Sequence, residues 1–102
     1  MHPVVEAKRA EITRLCRQLE VARLDLFGSA TGDAFDSLIS DVDVIVEFPD
    51  QPGFDYFGHY FDLKEGLERI FERPVDVVTA GSVANPYLKA EIEASRELFY
   101  AA

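Results

Sequence analysis

A small α/β (α+β) domain, with helices packed on one face of a mixed sheet, is the fold class this sequence predicts. Three observations point there. Short alternating runs rich in valine and leucine, RLDLF (23–27), DVDVIVEF (41–48) and PVDVV (74–78), read as strands. The segments around them carry apolar residues at helical spacing. The composition, 48% hydrophobic and 28% charged over 102 residues, suits one globular domain, residues 1–102, with a small core.

Taken in order, residues 4–22 place Ile12, Leu15, Cys16 and Leu19 on one side of an amphipathic helix. RLDLF then alternates until Gly28, which ends a short strand in a tight turn. SATGDAF predicts a short helical turn. In DVDVIVEF, Val42, Val44, Val46 and Phe48 take one face, and Asp41, Asp43, Ile45 and Glu47 the other. PDQPG (49–53) is a loop. Tyr60, Leu63, Leu67 and Ile70 form the stripe of a second helix over about 54–72, although Gly58 and Gly66 weaken it. PVDVV is the third strand. Asn85-Pro86 pairs an N-cap with a proline at the first helical position, opening a helix to about residue 95. ELFY (97–100) adds a last edge strand.

The formal net charge of −9 argues against a chain that grips nucleic acid by itself, because phosphate binding rests on clustered lysine and arginine. It suits cations or a basic partner protein. The lone cysteine, Cys16, has no disulfide partner and lies on an apolar helix face, so a reducing, cytoplasmic location is expected. Signal-peptide patterning and apolar runs of membrane-spanning length are both missing from the sequence.

Carboxylates are expensive in a buried strand, so Asp41 and Asp43 need a reason. Residues two apart on a strand share a face, which places the two carboxylates side by side. Their repulsion calls for raised pKa values or a cation. Asp76 sits alike on the third strand, flanked by Val75 and Val77 on the opposite face. If that strand pairs beside the second, three carboxylates converge. Such oxygen sites suit Mg²⁺, which keeps waters and takes substrate phosphates as further ligands. Two ions about 3.5–4 Å apart would clamp the attacking and leaving oxygens of a phosphoryl or nucleotidyl transfer. Gly28 and Ser29 complete the picture, with a backbone that can approach a phosphate and a hydroxyl to hold it. Taken singly, each feature has an ordinary explanation as a turn or a solvated strand face; the conjunction points to chemistry.

With these residues in place, the order LFGS…SDVDVIVEF…LKEGLERIF…RPVDVVT…NPYLKAEIEASRELFYA resembles the minimal nucleotidyltransferases (MNT proteins) of the DNA polymerase beta superfamily, from Leu26 onward. The Gly-Ser and Asp-x-Asp signature falls on Gly28, Ser29, Asp41 and Asp43, and the third carboxylate on Asp76. The resemblance implies a nucleotidyltransferase core with two Mg²⁺ ions, Asp41, Asp43 and Asp76 as metal ligands and catalytic residues, and Gly28 and Ser29 at the nucleotide. It further implies ATP as substrate, and an antitoxin that transfers AMP to a tyrosine of a partner HEPN ribonuclease toxin. One position departs from the pattern: Gly32 in GSATG stands where relatives commonly carry an arginine, a loss worth about 1–3 kcal/mol for a charge-assisted hydrogen bond.

The remaining candidates read as supporting structure. His2 and His59 have no partner at ligand spacing. Phe54, Tyr56, Phe57, Tyr60 and Phe61 exceed one helix stripe and fit either a core or a partner surface. Two functions stand: an Mg²⁺-dependent protein nucleotidyltransferase acting as antitoxin, and a non-catalytic antitoxin that works by binding alone. A small-molecule nucleotidyltransferase ranks behind both, since those usually add a substrate domain.

Overall fold

The computed structural model describes residues 3–28 and 42–102. Asp41, Ser29 and Gly32 lie outside these residues, as do His2 and the expected helical turn after Gly28. The elements run α1 (Pro3–Glu6), α2 (Arg9–Gln18), β1 (Arg23–Phe27), β2 (Val42–Glu47), α3 (Tyr56–Phe71), β3 (Val75–Thr79), a short 3₁₀ turn (Ala80–Ser82), α4 (Pro86–Ser95) and β4 (Glu97–Ala101).

The first helix is in two pieces. Val5 is fully buried, and the chain turns through Ala7 and Lys8, with the Lys8 N–H donating to the Val5 carbonyl, before α2 begins. Val5, Ile12 and Cys16 are all buried on either side of this turn, where periodicity alone implied one unbroken helix. Burying a side chain such as Ile12 contributes about 1.5–3 kcal/mol. Cys16 is wholly inside, and burial pushes its thiol up to about 12.

Four strands form one sheet in the order β3-β2-β1-β4. β1 runs antiparallel to both neighbours, and β2 and β3 are parallel. The alternation in β2 sorts its residues as expected. Val42, Val44 and Val46 join Leu24, Leu26, Val75, Val77 and Phe99 in the main core, beneath α2 and α3. Phe48 packs partly against it. The 71-residue separation between Asp25 and Arg96 foreshadows what the local pattern does not place: α4 lies across the opposite face, where Ile92 packs on Phe27 and Ile45. Helices therefore cover one face broadly and the other in part.

α3 starts at Asp55, whose carboxylate accepts from the Gly58 N–H at 2.9 Å. Gly66 is buried, and a Cβ there would meet Leu15 Cδ2 at 2.6 Å, so an alanine would have to push the Leu15 side chain of α2 aside. The glycine that weakens the helical pattern is the one that makes room for Leu15. Asn85 caps α4 by accepting from the Tyr87 and Leu88 N–H groups. Among the described residues, no helix is long and apolar enough to cross a membrane.

Candidate functional site

On the α4 side of the sheet, β1 presents Arg23, Asp25 and Phe27, β2 presents Asp43, Ile45 and Glu47, and β3 presents Asp76 and Val78. Parallel pairing of β2 and β3 sets Asp43 in register with Asp76. Adjacent strands lie about 4.8 Å apart, so the two carboxylates stand side by side. Both line one cleft of about 390 Å³, walled by Phe27, Tyr60, Lys64, Val77, Val78, Leu88 and Glu91. The conditional pairing on which the sequence reading depended is thus met for Asp43 and Asp76.

Gly28 follows the end of β1 and packs against Asp43. Its φ of +70 is the left-handed conformation that glycine adopts freely. A Cβ on Gly28 would lie 2.7 Å from Asp43 Oδ2. The small residue therefore makes room for the carboxylate as well as for the turn. From the other side, the Gly28 N–H donates to Ser95 Oγ at 3.0 Å, and that hydroxyl donates to the Glu91 carbonyl at 2.9 Å. The last turn of α4 thereby pins the end of β1.

Carboxylates outnumber cations here. Asp43, Asp76 and Glu91 line the cleft with Lys64 as the one ammonium group among the described lining residues. Paired hard-oxygen donors fit a hard divalent ion such as Mg²⁺. Among the described residues no group of three or more His, Cys, Asp or Glu side chains is gathered tightly enough to hold an ion. Asp41, the third carboxylate expected from the sequence beside these two, lies outside the described residues.

Sequence reasoning missed Asp25. It is fully buried beside this site, clamped by Arg23 Nε at 2.8 Å and Arg96 Nε at 2.6 Å. Burial alone would raise its pKa, but the hydrogen bonds from Arg23 and Arg96 together hold it below the usual carboxylate value. The available signal was the Arg-x-Asp alternation in β1, which puts Arg23 and Asp25 on one face.

The aromatic surplus is divided. Tyr60 packs against the core, whereas Phe57 is 76% exposed and Tyr56 and Phe61 are partly so. Tyr56, Phe57, Tyr60 and Phe61 line a groove with Val77, Val78, Thr79 and Ser82, directly beside the carboxylate cleft. His59 stacks on Phe54 at 4.4 Å and hydrogen-bonds the Asp55 carbonyl, outside the cleft. Another cleft, at the far ends of β2 and β3 against Phe48 and Tyr56, has Glu47 as its one acidic lining residue, and so offers no paired carboxylates.

The model of the nucleotidyltransferase domain family matches residues 9–99. "Putative protein adenylyltransferase MJ1379" of Methanocaldococcus jannaschii is 41% identical over 75 residues, 72% of this chain and 72% of that protein. The solved structure of a putative minimal nucleotidyltransferase superposes with a TM-score of 0.72 at 25% identity, over 91% of this chain and 90% of its own. A chain from the complex of a tri-AMPylated Shewanella oneidensis HEPN toxin with MNT antitoxin gives a TM-score of 0.66 at 19% identity, covering 95% of this chain and 72% of that one. At that identity the likeness is one of fold.

Proposed function

The chain belongs to the nucleotidyltransferase domain family, and from that premise we propose that it transfers AMP from ATP to a tyrosine hydroxyl of a partner HEPN ribonuclease toxin, acting as its antitoxin. The observation that carries this reading is the register of Asp43 with Asp76 in one cleft, with the Gly28 turn packed against Asp43. In this reading residues 1–102 work as one minimal cytoplasmic domain.

Asp41, Asp43 and Asp76 would hold Mg²⁺, two ions in the full site, and Gly28 and Ser29 would hold the nucleotide. When bound, Mg²⁺ supplies Lewis-acid charge neutralisation at the phosphates. The protein's own share is placement. Asp76 is exposed on the cleft wall, and in this reading it takes the proton of the incoming hydroxyl. Asp43, backed by Gly28, fixes the opposite side. In this reading the acceptor hydroxyl comes from another protein, and much of the rate comes from holding it in place. The exposed Phe57 and Phe61 beside the cleft supply an apolar contact for that partner, and the −9 charge favours a basic one. The AMPylated toxin in the Shewanella complex is the precedent for the acceptor class.

Incubating the chain and its toxin with ATP and Mg²⁺ should raise the toxin's intact mass by whole AMP units, and chelation should stop the gain. Toxin neutralised without any mass gain, and equally by the Asp41/Asp43 double variant, would establish the second reading, a binding-only antitoxin. Gly32 is the observation that favours that alternative.

Gly28→Ala provides a finer check. The added methyl group pushes Asp43 aside, so transfer should fall about 10- to 100-fold, as misplacement by an ångström does elsewhere. The left-handed backbone should lower stability by only about 1–2 kcal/mol in a urea titration. Unchanged transfer in the folded variant would show that Asp43 need not sit where it does.

A further inference from the structure

Among the described residues β3 is an outer strand, so one row of its backbone groups faces no neighbouring described strand. Three α3 side chains spaced four residues apart reach across to that row. Tyr60 Oη donates to the Val77 carbonyl at 3.0 Å, and Lys64 Nζ donates to the Val75 carbonyl at 2.7 Å. Glu68 Oε2 accepts from the Val75 N–H at 3.2 Å and from Lys64 Nζ at 3.4 Å. The spacing puts all three on one stripe of the helix. They supply the hydrogen bonds that a further strand would have made.

Asp76 is the residue between the two tethered carbonyls, and Asp43 is its register partner. Like charges on neighbouring strands push them apart. An untethered edge strand would yield to that push by shifting or fraying. From this geometry we infer that Tyr60, Lys64 and Glu68 form a clasp that holds Asp76 against Asp43, which makes Lys64 and Tyr60 positioning residues for nucleotidyl transfer. The inference rests on the reading of Asp76 given above.

A purely structural edge clasp exists for comparison. On the other outer strand, Arg9 Nη1 donates to the Phe99 carbonyl at 2.9 Å and its guanidinium lies 4.3 Å from the Phe99 ring centre. That strand carries none of the proposed site. Lys64→Met and Arg9→Met should therefore both lower the urea midpoint, but only Lys64→Met should slow the chemistry.

The measurements are turnover for AMP transfer to the toxin, KM for ATP, and amide hydrogen exchange at Asp43 and Asp76, all in the folded range. Lys64→Met should lower kcat about tenfold with KM for ATP within about twofold, and speed exchange at Asp76 about tenfold. Lys64→Arg, which keeps the donors, should recover most of the turnover. If Lys64→Met does not fold, Tyr60→Phe removes one hydroxyl from the same clasp and should lower kcat about threefold. Wild-type kcat in these variants, or an equal loss in Arg9→Met, overturns the inference. Full turnover in Asp76→Ala would instead overturn the underlying reading of Asp76, so the two failures are distinguishable.

Discussion

Asp43→Asn is expected to lower AMP transfer by about a thousand-fold, equivalent to about 4 kcal/mol of transition-state stabilisation, while leaving the fold at least as stable. Asparagine keeps the shape against which Gly28 packs, so the turn is undisturbed. What disappears is a negative charge where a divalent ion and the phosphates would be held. In the absence of metal, that charge stands beside Asp76 across the parallel pair, and removing it relieves a repulsion. Initial rates with Mg²⁺ and a urea titration measure the two effects separately. Transfer within tenfold of wild type would remove Asp43 from the site. A collapse of stability would make it a structural residue instead.

The second large effect falls on folding. Asp25→Ala leaves Arg23 and Arg96 facing each other across an emptied site. Breaking a fully buried ion pair costs about 3–5 kcal/mol, and because both arginines reach solvent here the expected loss is about 2–3 kcal/mol. Its pH dependence follows from the lowered carboxyl pKa. The stabilisation is present in full above the ordinary value of 3.8 and is lost as pH falls through the folded-state pKa, where the native carboxylate must take up a proton. Wild-type stability should therefore drop with acidification below about pH 4, and part of that drop should be missing in Asp25→Ala. Parallel acid limbs in urea titrations of the two proteins would show that Asp25 is not the group responsible.

The contrast between Asp43 and Asp25 shows what the sequence made legible. The faces of Asp43 and Asp76 were readable because strand alternation is local, but their meeting was conditional on β3 pairing beside β2, and the parallel register supplies it. The Asn85-Pro86 cap and the β4 run were equally local, and α4 and β4 lie where those signals put them. Asp25 was not readable. A carboxylate becomes buried only when its counter-charges arrive, and Arg96 comes from 71 residues away. The placement of α4 on the second face is of the same kind, set by Ile92 meeting Phe27 and Ile45. The Tyr60–Lys64–Glu68 stripe was hidden because charged residues at helical spacing have the same pattern as any solvated helix face. Their partners are backbone groups, which no side-chain pattern records.

The place of β4 beside β1 also bears on the order in which the protein can be assembled during synthesis. β1 is made early, yet one of its two flanking strands is Glu97–Ala101, and Asp25 waits for Arg96 just before it. Until the ribosome has added those residues and they have cleared its tunnel, the strand that ends at Gly28 keeps an open side and a half-neutralised carboxylate. Sequence-distant pairings of this sort slow folding, because the loop entropy is lost before the contacts form. β1 should therefore gain its second neighbour and the second counter-charge for Asp25 together, in one step that waits for residues 96–101.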